Sequence, residues 1–348
     1  MLAAIYQNFK EPLSLQQAPD PKLSDDGVIL EVTATGICRS DWHGWMGHDK
    51  DISLPHVPGH EMCGVIVEKG KQVGGWEIGQ RVTLPFVCGC GQCVYCRQGD
   101  HQVCDFQFQP GFTHWGSFAQ FVHLKYAQHN LVSLPAEVSD ITAASLGCRF
   151  ATAFRALVDQ AKIGPSQWLA VFGCGGVGLS AIMIAKAYES RVIAVDIDES
   201  HLELARDLGA ELIINSRLNA DIAHQIIEHT QGGAHITMDA LGNMQVVQSC
   251  LRSLRKRGLH LQVGLLDPDE RQVPLPMDRI VAAELQVVGS HGMQAHRYGD
   301  MLSLMEKGRL DPALLVTKEI SLGKSPDALM QMDTRQQAGI TVITDFSQ

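Results

Sequence analysis

Residues 167–198 read Q-W-L-A-V-F-G-C-G-G-V-G-L-S-A-I-M-I-A-K-A-Y-E-S-R-V-I-A-V-D-I-D. Trp168 to Phe172 is an unbroken apolar run followed by a glycine turn, the pattern of a buried strand. A helical stretch follows from Gly176 to about Tyr188, and Arg191 to Ile197 reads as a second strand. Between first strand and helix, Gly173-Cys174-Gly175-Gly176-Val177-Gly178 fits G-x-G-x-x-G. Such glycines let a dinucleotide pyrophosphate approach a helix N-terminus closely. The motif is weak alone and gains weight from the strand before it, the helix after it, and Asp196 about 20 residues on. An acidic side chain there accepts hydrogen bonds from the adenosine ribose and repels a 2′-phosphate. NAD is therefore expected over NADP, with Asp198 the expected N-cap of a helix from Glu199 to Leu208.

Downstream, strand-like runs at Leu212 to Asn215, Ile236 to Leu241, Leu259 to Leu265 and Leu285 to Val288 alternate with helical patterns. That alternation predicts parallel βαβ units in a doubly wound sheet. The C-terminal part carries one helix, about His296 to Lys307, and a final strand near Ile340 to Ile343. Upstream, as far as about Ser139, the chain is dense in Gly and Pro. Short β-like runs there, such as Gly27 to Ala34, Val65 to Glu68 and Gln80 to Leu84, have the texture of a small β-barrel.

A chain of 348 residues suits two domains. Its net charge of −10, without a basic stripe, argues against a nucleic-acid partner. No apolar stretch approaches the roughly 20 residues that a bilayer requires. Met1 to Lys10 lacks the basic start and apolar block of a signal peptide, so a cytoplasmic location is expected. The ten cysteines then call for metal ligation or catalysis rather than disulfides.

Cys90, Cys93, Cys96 and Cys104 are spaced C-x2-C-x2-C-x7-C. Four thiolates so placed can close the tetrahedral sphere of a structural zinc. Unrelated core cysteines and a redox role compete with that reading. Gly89, Gly91, Gln92 and Arg97 mark a loop rather than a core segment, and Cys88 lies outside the pattern. Elsewhere, Cys38 sits in the run Thr35 to His43, His60-Glu61 follows Pro58-Gly59, and Cys148 lies in Gly147-Cys148-Arg149-Phe150. Each alone has a bland structural explanation.

Taken together, G-I-C-R-S-D-W-H, P-G-H-E, the four-cysteine lobe, G-C-R-F-A-T-A-F and G-C-G-G-V-G resemble, in order and spacing, the zinc-dependent alcohol dehydrogenases of the medium-chain dehydrogenase/reductase family. The resemblance implies a GroES-like β-barrel catalytic domain over residues 1–149. A Rossmann NAD-binding domain would follow over 150–289, and a return segment over 290–348 would complete the catalytic domain. It implies two zinc ions per chain, a catalytic one on Cys38, His60 and Cys148 with a fourth position open, and a structural one in the lobe. Glu61 would stand behind the catalytic metal as an exchanging ligand, and Asp41 would orient His60. Ser40 and His43 would relay the proton through the cofactor ribose.

The chemistry agrees with that assignment. Alcohol oxidation needs a Lewis acid, a hydride acceptor and a route for the proton, and a catalytic zinc needs an open position. By the same resemblance Thr152 and Val177 meet the nicotinamide, Leu241, Val263 and Leu265 line the cofactor crevice, and Arg39 touches the pyrophosphate. Two positions depart from the family. His201 replaces a lysine among the cofactor contacts, and Thr341 replaces a pyrophosphate-binding arginine for which Arg335 could substitute. The substrate pocket is expected at Trp42, Phe86, the stretch Phe112-Thr113-His114-Trp115, and His291. The expected reaction is reversible hydride transfer between a primary or secondary alcohol and NAD, in a homotetramer. A polyol dehydrogenase of the same family is the alternative, which Cys148 opposes because that branch commonly carries an acidic residue there. A non-catalytic zinc or dinucleotide binder on the same scaffold is the reading from another class.

Overall fold

The computed structural model describes every residue except 220, 267–271, 334–337 and 348. Arg335 thus lies outside the described residues. The chain divides into two compact units, one comprising Met1–Ala151, Gly292–Gln336 and Ile340–Gln348, the other Thr152–His291 with Gln337–Gly339.

The second unit is built on six parallel strands. In chain order these are Trp168–Phe172, Arg191–Asp196, Leu212–Asn215, Ala234–Asp239, Leu254–Gln262 and Gln286–Gly289, and they lie 3-2-1-4-5-6 across the sheet. That is the order of a doubly wound dinucleotide-binding sheet. Trp168–Phe172 is buried throughout because the central strand has a neighbour on each edge and helices over its faces. The helix Gly176–Ala187 returns the chain to the second strand, and Glu199–Asp207 to the third. Asp198 caps the latter, its side chain accepting the Ser200 amide.

In the first unit the ten-residue strand Val28–Ile37 is the organiser. Along one edge it pairs antiparallel with Glu61–Lys69. Its other edge is shared between Phe121–Leu124, opposite Val28 to Glu31, and Ile340–Asp345, opposite Thr35 to Ile37. Arg81–Thr83 and Val132–Ser133 extend the sheet beyond Glu61–Lys69, and Val316–Ser321 adds a parallel strand outside Ile340–Asp345. Val316–Ser321 gives no sequence signal, because Thr317, Lys318 and Glu319 are all exposed and no apolar alternation marks a buried face. Buried Leu30, Met62, Ile66, Val82, Leu84, Phe108, Val122 and Leu124 form the core beneath this sheet.

Candidate metal and cofactor sites

Register decides the first site. Gly36 pairs with Glu61, so Cys38, two residues past Gly36, and His60, one residue before Glu61, arrive at the same end of the sheet. Cys38 is the N-cap residue of the short helix Arg39–Trp45. The third residue comes from afar: the amides of Cys148 and Arg149 both donate to Glu61 Oε1, at 3.1 and 2.8 Å. The ligand atoms of Cys38, His60 and Cys148 all fall within 4.8 Å of one another.

His60 is fully buried and its Nδ1–H donates to Asp41 Oδ1 at 2.8 Å. Asp41 is held in turn by the Gly59 amide on Oδ1 at 2.9 Å and the Cys38 amide on Oδ2 at 3.0 Å. The tautomer is therefore fixed with the lone pair on Nε2, and that atom is buried with no hydrogen-bond partner among the described residues. A buried imidazole nitrogen left unsatisfied beside two sulfurs is a group waiting for a cation. A hydrogen bond from Cys148 and the charge of Arg149, against the penalty of burial, hold the Cys38 thiol well below its usual range. The donor set fits zinc: two soft sulfurs and one nitrogen, with a coordination position left over.

Glu61 is held from two sides. Its Oε1 receives two amides and its Oε2 forms an ion pair with Arg149, which also donates to Ile37 O at 3.0 Å. The carboxylate thereby braces the segment carrying Cys148. Arg149 is the residue that sequence reasoning passed over; a cation beside a cysteine in an apolar run was its signal.

Ser40 Oγ lies 3.8 Å from Cys38 Sγ. His43, one turn along the helix, is exposed and its Nδ1 meets His48 Nδ1 at 2.9 Å. Arg39 is engaged within its own unit, donating to Met332 O and Asp333 Oδ1 and stacking 4.0 Å from the Trp42 ring. Phe112 and Phe86 flank His60, with ring centroids 4.9 and 6.2 Å away. Trp42 is buried, whereas His291 is exposed. Trp115 packs against the apolar cluster containing Trp42 and Phe112, yet it lines a surface groove with Met1, Pro19 and Val122. Phe112 is thus better placed against the metal-binding residues than Trp115.

The four lobe cysteines are buried and their sulfurs likewise lie within 4.8 Å of one another. Cys90 and Cys96 sulfurs are 4.0 Å apart, those of Cys93 and Cys104 3.8 Å. A tetrahedron of zinc–sulfur bonds has edges of about 3.8 Å. The amides of Cys90, Gln92, Cys93, Cys96 and Phe106 point at these sulfurs from 3.3–3.4 Å. The Cys96 amide, foremost among the influences on it, brings the Cys93 thiol down to about 6, while burial pushes Cys96 up. Amides converging on sulfur suit thiolates, hence a metal.

In the second unit Gly178 is obligatory, since a Cβ there would lie 1.8 Å from Gly173 O, and Gly173 itself has φ +93. The helix Gly176–Ala187 starts from Gly175 without any side-chain cap, and nothing lies within 4 Å of where a Gly175 Cβ would stand. Uncapped amides facing open space fit a pyrophosphate. Asp196 anchors the loop, taking the Cys174 amide on Oδ2 at 2.6 Å and those of Ile197 and Asp198 on Oδ1 at 2.7 and 2.9 Å. Of about four acceptor positions on a carboxylate, one on Oδ2 remains for a ribose hydroxyl. Leu241 packs over Gly173, and Leu241 and Leu265 are both exposed. The Val263 amide donates to Asp239 O at 3.1 Å, and Thr152 is buried. Thr341 pairs with Ile37 in the first unit's sheet.

The chain matches the family described as alcohol dehydrogenase GroES-like domain over residues 24–136 and that described as zinc-binding dehydrogenase over 176–307. It is 33% identical over 348 residues to an NAD-dependent alcohol dehydrogenase of Sulfurisphaera tokodaii, covering 96% of each chain. It is 31% identical over 318 residues to a sorbitol dehydrogenase of Halalkalibacterium halodurans, covering 89% of this chain and 90% of that one. Among solved structures it resembles the alcohol dehydrogenase TADH from Thermus sp. ATN1, with 26% identity, a TM-score of 0.90, and 99% and 100% coverage. With the fold, both cysteine-bearing sites and the glycine loop in agreement, the chain belongs to the zinc-dependent alcohol dehydrogenases of the medium-chain dehydrogenase/reductase family, NAD-dependent oxidoreductases.

Proposed function

We propose that this enzyme oxidises apolar alcohols with two zinc ions per chain, a catalytic one on Cys38, His60 and Cys148 and a structural one on Cys90, Cys93, Cys96 and Cys104. The observation that carries the reading is the buried, partnerless Nε2 of His60 beside Cys38 and Cys148. Bound there, zinc supplies the Lewis acid that favours the ionised form of a substrate hydroxyl. Asp41 holds His60 in the ligating tautomer, and the Glu61–Arg149 pair fixes the backbone that carries Cys148.

Ser40, beside Cys38, receives the substrate proton, and His43 passes it outward from the exposed side of the same short helix. NAD binds with its pyrophosphate at the start of Gly176–Ala187 and its adenosine ribose at Asp196. The second unit corresponds to an NAD-binding domain over 150–289, and the first to a catalytic domain over 1–149 completed by 290–348. A homotetramer and a cytoplasmic location are part of the proposal. All ten cysteines are free, in keeping with a reducing compartment, and no described helix is long and apolar enough to cross a membrane.

The phenyl rings of Phe112 and Phe86 near His60 favour an apolar or aromatic alcohol. A polyol would leave hydroxyls without partners there, at about 1–3 kcal/mol each. The sorbitol dehydrogenase relative supplies the competing reading. Incubating the zinc-loaded protein with NAD⁺ and benzyl alcohol or sorbitol, and following reduced nicotinamide by absorbance, separates the two. Faster turnover of sorbitol refutes the apolar pocket, and no reduction of NAD⁺ by any alcohol refutes the catalytic assignment.

A further inference from the structure

His201 stands on the first turn of the helix Glu199–Asp207, its Nδ1 3.6 Å from Asp196 Oδ1, with the two side chains 16% and 7% exposed. Three backbone amides already hold Asp196, so this carboxylate cannot swing away from whatever approaches the ribose position. What can change is the charge beside it. We propose that His201 sets how strongly this chain rejects a 2′-phosphorylated dinucleotide, and that the rejection weakens as its imidazole gains a proton. The proposal deepens the NAD reading above and rests on it.

With His201 neutral, the carboxylate of Asp196, reinforced by Asp198 at the helix cap, opposes a phosphate dianion through space. With His201 protonated, the Asp196–His201 pair is neutral overall and offers the phosphate an N–H donor. Burial works against ionisation of Asp196, but His201 and the surrounding amides outweigh it and hold its pKa below the usual value, so it stays charged above pH 6. Other charges sit on this helix and on the elements that pack against it. Glu199, on its own helix, is held by Asn215 Nδ2 at 3.1 Å. Arg217 lies two residues past Asn215, the residue registered opposite Asp196. Lys186 on the preceding helix faces Glu211 at 3.7 Å.

The test is fluorescence titration of the zinc-loaded protein with NADH and with NADPH between pH 6.0 and 8.5. The 2′-phosphate has its own ionisation near about 6, so the comparison is with His201→Gln, which keeps that contribution and loses the imidazole. The ratio of NADPH to NADH dissociation constants should fall about tenfold further in the unmutated protein than in His201→Gln as pH is lowered. His201→Lys, carrying a fixed charge, should show the low ratio throughout. Ratios that track together with pH in the unmutated protein and either variant overturn the proposal. Asp196→Gly separates the two levels of argument: if it leaves the ratio at pH 8.5 unchanged, the ribose assignment itself fails. If Asp196→Gly lowers the ratio while the His201 comparison shows no difference, only the role of His201 is lost.

Discussion

The two sulfur-rich sites of the first unit make a controlled contrast. In the lobe, four cysteines from one short loop close around a common centre, and backbone amides of the same loop point at their sulfurs. At the other site, three ligands come from a helix cap, a strand start and a distant segment, and buried side chains rather than local amides hold them. A closed set of four can only bind metal and hold the loop; an open set of three leaves room for a reactant. On the proposed function, the difference in ligand number and origin separates stability from chemistry within one unit.

Four expected outcomes would break or sharpen that contrast. Cys148→Ser or His60→Ala should lower kcat/KM at least ~1000-fold, about 4 kcal/mol, while the melting temperature moves by less than about 3 °C. A comparable loss of fold would mean that the three-ligand site is structural as well. Cys93→Ser or Cys104→Ser should do the reverse. The melting temperature should drop by on the order of 10 °C, about 3 kcal/mol, with kcat/KM of the protein still folded nearly unchanged. Calorimetry alongside initial rates reads both.

Asp41→Asn keeps the shape but loses the charge behind His60. Zinc affinity at the three-ligand site should fall roughly 10- to 100-fold, with the lobe keeping its ion under the same chelator competition. Equal release from both sites would sink the idea that Asp41 serves one of them. The smallest effect concerns substrate: benzyl-type or medium-chain alcohols should exceed sorbitol and glycerol by about tenfold in kcat/KM, about 1.4 kcal/mol. Phe112→Ala should narrow that ratio, and an unchanged ranking would place the pocket elsewhere.

The same contrast explains what could be read from the sequence. The lobe is legible because its ligands are neighbours and their spacing is the geometry. The dinucleotide sheet is legible because buried strands and a glycine turn leave local patterns, and the alternation of strand and helix points to parallel strands, though not to their order 3-2-1-4-5-6. Cys38, His60 and Cys148 are legible only through family resemblance. Nothing local announces that Gly36 will pair with Glu61, or that Glu61 will catch the amide of Cys148. The partners of Glu61 and Arg39 were hidden for the same reason. Each side chain was assigned by position, and each finds a partner from another segment, Arg149 in one case and Met332 with Asp333 in the other. Val316–Ser321 was invisible for a different reason, its polar, exposed face lacking any strand period.

Metal analysis under graded chelation tests the central claim most directly. The purified active enzyme should contain two zinc ions per chain. A mild chelator should remove one with loss of activity and no change in circular dichroism, and removal of the second should unfold the first unit. One zinc per chain in fully active enzyme, or activity that survives until the fold is lost, would contradict the division between an open catalytic site and a closed structural one.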